Sequence, residues 1–225
     1  MMEVMPSETR LTAEPSVERR ELGGGAWVDV CRGFLDGADG LYADLVASRR
    51  WSQARLFRYE RTIEEPRLTS TVRTTDPDAP RPLLDAHRWL QHRYRARFDG
   101  FALAWYRDGN DSVAFHRDTD MRWLDDTVIA ILSLGARRPF QLRPREHRNR
   151  HELDLHGATH DLSPGSGDLL VMGGSAQAGW EHAVPKVRGL TDGRISVQWR
   201  WTSRHGRPFQ GGGYRAPLHF SDRRR

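Results

Sequence analysis

The octapeptide Thr127-Val128-Ile129-Ala130-Ile131-Leu132-Ser133-Leu134 is apolar on both of its alternating faces, and it limits the fold more than any other stretch. Successive side chains of a strand point to opposite sides, so such a segment needs cover on both and belongs at the centre of a sheet. Around it lie further short strand candidates, Phe101 to Tyr106, Ser112 to Phe115, Phe140 to Arg143, Asp168 to Met172 and Gly193 to Thr202, divided by Gly, Pro and Asp turns. Many short strands punctuated in this way predict a sandwich or jelly roll. Trp27 to Val30 adds an earlier strand. Leu41, Leu45 and Val46 predict a helix from Asp36 to near Arg50, with Asp36 or Asp39 available as its cap. After the breaker run from Asp76 to Pro82, the spacing of Leu83, His87, Leu90 and Tyr94 predicts a second helix on the outside of the sheet. The class is α+β, mainly β.

A chain of 225 residues, 37% hydrophobic and 29% charged, suffices for one well-buried domain with tails. The single cysteine, Cys31, excludes an intramolecular disulfide and a thiolate metal cage. That favours a reducing compartment. No run reaches membrane-spanning length and Met1 to Arg20 lacks an apolar core, so the expectation is a cytoplasmic protein with no membrane contact. The formal charge of +5 resides entirely beyond residue 203, where Arg204, Arg207, Arg215, Arg223, Arg224 and Arg225 face only Asp222. Arg137, Arg138, Arg143, Arg145, Arg148 and Arg150 form a second basic cluster against Glu146, as expected of a surface that tracks phosphates. An arginine-biased solvated surface is the alternative.

Chemistry concentrates at His116 and Asp118, which share a face of a predicted strand. An imidazole and a carboxylate one residue apart, joined by a later histidine, form the ligand set of non-haem Fe(II) sites that keep positions open. His182 is the best later candidate. In Arg194 to Arg200, alternation puts Arg194, Ser196, Gln198 and Arg200 on one face and Ile195, Val197 and Trp199 on the other. Two arginines on one strand face suit a small diacid, since guanidinium groups bind carboxylates bidentately. His147, His151, His156 and His160 lack a recurring carboxylate spacing and read as surface or nucleic-acid contacts.

Together these pieces resemble the AlkB-like branch of the Fe(II)- and 2-oxoglutarate-dependent dioxygenases. The resemblance rests on Tyr106 to Gly109, His116-x-Asp118, the strand Thr127 to Gly135, Trp180-Glu181-His182 with Pro185, and Arg194 with Arg200. It runs from Phe101 to Arg204 and more weakly back to Trp27. It implies a double-stranded β-helix (jelly-roll) core with flanking N-terminal helices, occupying residues 26–204 between a flexible segment 1–25 and a basic tail 205–225. It also implies that His116, Asp118 and His182 hold Fe(II), leaving room for 2-oxoglutarate and O2. Arg194 would take the distal carboxylate of the cosubstrate and Arg200 the oxo-acid end, or the reverse, with Tyr106 hydrogen-bonding it and Ser196 and Gln198 standing between the arginines. Asp120 would contact the exocyclic amine of a flipped base or cap the following turn, and Trp180 would line the pocket or pack. Phe57 and Tyr59 lie where relatives carry a lid over the substrate nucleotide, though an edge hairpin fits equally. Ala104 replaces the family's asparagine, which removes one hydrogen bond to the cosubstrate.

The function implied is oxidative demethylation of alkylated nucleic-acid bases, DNA rather than RNA, by a monomer. A 2-oxoglutarate oxygenase acting on RNA, protein or a small molecule is one alternative. A non-catalytic nucleic-acid-binding jelly roll is the other.

Overall fold

The apolar octapeptide runs through the middle of a sheet, and its two faces serve two different cores. The computed structural model describes residues 8–58, 61–147 and 159–210. The first strands are β1 (Arg10–Leu11), β2 (Glu18–Gly23), β3 (Ala26–Cys31), β4 (Leu35–Asp36), β5 (Arg55–Arg58), β6 (Arg61–Glu64), β7 (Leu68–Arg73) and β8 (Gly100–Tyr106). They are followed by β9 (Val113–His116), β10 (Thr127–Gly135), β11 (Gln141–Pro144), β12 (His160–Asp161), β13 (Leu169–Gly174), β14 (Trp180–Val184) and β15 (Arg194–Thr202). The helices are α1 (Ala38–Ser48), α2 (Arg81–Tyr94) and α3 (Ala176–Gly179).

An antiparallel seven-stranded sheet has the order β2-β3-β13-β10-β15-β8-β7, and a four-stranded one the order β12-β11-β14-β9. On β10, Val128, Ala130, Leu132 and Leu134 face a core closed by Leu41 and Leu45 of α1 and Leu83 and Leu90 of α2. Ile129 and Ile131 face the opposite way, toward Phe140, Leu142 and Val184 of the smaller sheet. This is the expected jelly roll with its helices outside. Burying each such side chain is worth about 1.5–3 kcal/mol, which explains why the central strand tolerates so little polarity. Ile195, Val197 and Trp199 pack on the helix side, so the alternate residues of β15 face the space between the sheets.

Three local expectations change. Glu18–Gly23, read as part of a flexible lead-in, is the edge strand β2. Its residues are mostly exposed and carry no apolar alternation. Backbone pairing to β3 and cross-strand contacts specify it instead: Arg19 makes a bidentate pair with buried Asp29 at 2.7 and 2.9 Å, and its guanidinium lies 3.8 Å from the centre of the Trp27 ring. β9 ends at His116, and Thr119–Met121 form a 3₁₀ turn, so Asp120 does not continue a strand face. The segment from Ser203 into the basic tail runs back over the residues that follow that turn, with Ser203 N donating to Asp126 O (3.1 Å) and Phe209 N to Arg122 O (2.6 Å). Tyr59, Arg148, Arg150, His151, His156 and the tail beyond residue 210 lie outside the described residues. Phe57 sits in the β5–β6 hairpin.

Candidate functional site: a His-Asp-His centre beside a buried arginine

His116 and His182 are direct partners across the β9–β14 ladder, their rings 4.2 Å apart. Asp118 joins them from the chain just past β9: its backbone N–H donates to Gln177 Oε1 at 2.9 Å, and its Oδ1 lies 3.6 Å from His116 Nε2. One donor atom from each of the three residues lies within 4.8 Å of the others. His116 Nδ1 is 2.9 Å from the Ala114 carbonyl oxygen, which can only accept. Nδ1 therefore carries the proton, and Nε2 keeps its lone pair toward the cluster. The other carboxylate oxygen, Asp118 Oδ2, accepts from Arg200 Nε at 2.7 Å, while Arg200 Nη2 donates to Gln198 Oε1 at 2.6 Å.

Burial pushes the His182 imidazole down to about 3, and neighbouring His116 pushes the same way. Burial also lowers His116, against the opposing pull of Asp118. Both imidazoles are neutral at working pH, the form a metal requires. An unfolded histidine titrates at about 6.5, so below that pH the unfolded chain takes up protons that the folded site refuses. In the metal-free protein the contribution of His182 to stability is therefore expected to be fully present above pH 6.5 and to be lost steadily down to about pH 3. Unfolding curves for the protein and for His182→Gln measure this. The variant should show a shallower decline, and identical slopes would contradict the assignment.

Arg194, fully buried, sits opposite Tyr106 in the ladder between β15 and β8. Its Nη2 donates to Ser133 Oγ at 3.0 Å, but Nε and Nη1 have no hydrogen-bond partner. Burial pushes this guanidinium down to about 10, with Tyr106 opposing the shift and Arg138 adding to it. A buried cation with two unused donors is costly unless an anion completes it. Ser196 is buried two rungs along, directly opposite Ala104. Across that pair the strands present only a methyl and a hydroxyl.

Sequence reading missed several neighbours. Arg67, beside Tyr106 and near both imidazoles, pairs with Glu65 at 3.4 Å. Gln177, buried on α3, pins Asp118. Arg138, read as part of a basic surface cluster, is fully buried. It donates to the carbonyls of Asp108, Asp111 and Pro185 at 2.8 Å each, tying the β8–β9 turn to the exit of β14, with its guanidinium 5.3 Å from the Tyr106 ring centre. Arg143 is likewise committed, to Glu181 at 2.9 Å and to the Phe115 ring at 3.9 Å. Neither serves as a free phosphate contact. None of these roles has a motif, because each depends on a partner distant in sequence. Asp120 sits half-buried in the 3₁₀ turn, and Trp180 lies 5.6 Å from His160 across β14 and β12.

The sequence profile of the 2OG-Fe(II) oxygenase superfamily matches residues 43–200, which contain every residue of this centre. The chain belongs to that superfamily. Within it the chain is AlkB-like. The alpha-ketoglutarate-dependent dioxygenase alkB homolog 3 of Bos taurus is 27% identical over 186 residues, covering 77% of this chain and 65% of the relative. The human protein of that name is 29% identical over 184 residues, covering 75% and 63%. The chain thus spans under two thirds of the length of these relatives. The DNA oxidative demethylase ALKBH2 of Arabidopsis thaliana is 29% identical over 123 residues, 47% of this chain and 38% of that one. A prolyl hydroxylase from Trichoplax adhaerens shares the fold at TM-score 0.54 and 13% identity, covering 77% of this chain and 83% of its own.

Fe(II), 2-oxoglutarate and dioxygen are the cofactor set of this 2OG-Fe(II) oxygenase, and the residues present fit it. Two neutral imidazoles and a carboxylate each offer an atom within 4.8 Å of the others, and the buried Arg194 has two unsatisfied donors that an anionic cosubstrate could fill. Among the described residues, no helix is long and apolar enough to cross a membrane.

Proposed function

We propose that this oxygenase removes N-methyl groups from alkylated nucleic-acid bases, with DNA as its substrate. The observation that carries the proposal is the pairing of the His116–Asp118–His182 centre with the uncompensated Arg194, in a chain similar over most of its length to alkB homolog 3 and in part to ALKBH2, a named DNA oxidative demethylase.

Bound Fe(II), with 2-oxoglutarate and O2, supplies the oxidising power that converts an N-methyl group to N-hydroxymethyl, yielding succinate and CO2. The hydroxymethyl adduct then releases formaldehyde and leaves the unmodified base. His116, Asp118 and His182 hold the metal. Arg200 fixes the orientation of Asp118 through Oδ2, leaving Oδ1 on the side of His116. Arg200 is thereby engaged with a ligand carboxylate, and its service to the oxo-acid end of the cosubstrate runs through that pair and Gln198. Arg194 takes the distal carboxylate, with Tyr106 and Ser196 beside it. Arg67 adds positive charge where an anionic cosubstrate and a nucleotide would both enter. The base must leave its stack to reach the centre, which costs least where a methyl lesion has already spoiled pairing. Asp120 accepts from its exocyclic amine, Trp180 walls the pocket, and the β5–β6 hairpin covers it.

The test is incubation of the Fe(II)-loaded protein with oligonucleotides bearing 1-methyladenine or 3-methylcytosine, as DNA and as RNA, with formaldehyde and repaired base as readouts. Formaldehyde from the DNA strands supports the reading. Release from RNA alone would reassign the substrate, and 2-oxoglutarate consumption without release from either would overturn the demethylase assignment.

A further inference from the structure

The segment that follows β15 does more than end the domain. Thr202 Oγ1 donates to Trp123 O (2.8 Å), Ser203 N to Asp126 O (3.1 Å) and Phe209 N to Arg122 O (2.6 Å), so residues 202–209 form a strap across the turn that begins at Asp118. Phe209 is 38% exposed and is the only large hydrophobic side chain so exposed among the described residues. Its ring joins neither core. One exposed phenylalanine is unremarkable by itself. Its surroundings are what matter: the Arg117 guanidinium carbon lies 5.1 Å from the ring centre. That guanidinium also donates to the carbonyls of Gln177 (3.3 Å) and Ala178 (3.4 Å). Gln177 is the residue whose side chain pins Asp118. Arg122, Arg204 and Arg207 are exposed on the strap and the turn beneath it, where Asp120, Asp125 and Asp126 are the acids beside Asp118 of the metal site.

We infer that Phe209, backed by Arg117, is a stacking shelf for a base of single-stranded nucleic acid adjoining the nucleotide in the active site, and that Arg122, Arg204 and Arg207 take the neighbouring phosphates. The inference rests on the nucleic-acid reading of the site. A sequence-tolerant single-strand surface combines an aromatic face for the base, a guanidinium near that ring and a positive track for the backbone. All three occur together here, one residue from a metal ligand. The shelf extends the bound strand beyond the reacting nucleotide, so affinity for the strand does not depend on the lesion.

The experiment is fluorescence anisotropy with a short labelled single strand that carries no methyl lesion, added to the full chain loaded with Mn(II) and 2-oxoglutarate without oxygen. Phe209→Ala should weaken binding roughly five- to hundredfold, the range for loss of one stacked base. Phe209→Trp should restore it, whereas Phe209→Leu, apolar but without a π face, should not. Arg207→Ala should reduce the salt slope of binding by about one. Thermal unfolding of each variant confirms that it is folded. Equal affinity of the parent protein, Phe209→Ala and Phe209→Leu would overturn the shelf and leave the demethylase reading standing. Binding that depends on Phe209, without formaldehyde from any methylated strand, would support the shelf and sink the demethylase reading.

Discussion

Asp118→Ala is expected to abolish 2-oxoglutarate turnover, a loss exceeding the roughly 10- to 100-fold that follows damage to a residue merely supporting a metal ligand. The same change strands a second group. Asp118 and Arg200 are 6% and 12% exposed and 2.7 Å apart, so deleting the carboxylate leaves a poorly hydrated guanidinium without its counter-charge. Breaking such a pair costs about 3–5 kcal/mol when burial is complete and somewhat less at this exposure. Asp118→Ala should therefore lower the melting temperature as well as activity, and adding Arg200→Met should recover much of the stability and none of the turnover. Succinate formation and unfolding midpoints measured on the single and double variants check both halves. Appreciable turnover in Asp118→Ala would remove this carboxylate from the metal site.

Arg194→Met should have opposite effects on stability and on binding. Without its anion the buried guanidinium carries two unused donors, so an apolar side chain of similar length should raise the melting temperature of the cofactor-free protein. The variant should bind 2-oxoglutarate at least about thirtyfold more weakly, because truncating one partner of a buried charge pair costs about 2–5 kcal/mol. Calorimetric titration of the Mn(II)-loaded protein without oxygen gives the affinity directly. If Arg194→Met bound the cosubstrate as the parent protein does, the distal carboxylate would have to lie elsewhere. A loss of both affinity and stability would mean that the guanidinium has a partner besides Ser133 in the cofactor-free protein.

What the chain disclosed in advance follows the range of the forces involved. β10, β15 and the two helices were readable because solvent segregation writes a period of two or of about 3.6 residues directly into the order of side chains. The two faces of β15 came out as alternation requires, with Trp199 among the helices and Arg194 inside. β2 escaped because an edge strand held by backbone pairing and by Arg19 on Asp29 needs no apolar rhythm. At the site, the candidate ligand types were legible in His116-x-Asp118 and the later His182, but their convergence was not a matter of strand alternation. β9 stops at His116, and Asp118 is delivered by Gln177 from α3. Charge counting misled most at Arg138. A guanidinium in a run of arginines reads as surface, and only the three carbonyls that surround it show otherwise.

The cross-strand pairing of His116 with His182 has a consequence for how this chain can vary. Because the two rings meet on a single rung, lengthening or shortening the loops that join the strands between β9 and β14 leaves that rung intact, whereas one residue added or lost within Trp180 to His182 would swing the second imidazole to the far side of its sheet. Sister sequences should accordingly differ freely in the length of the intervening connections and hardly at all within these two short strands.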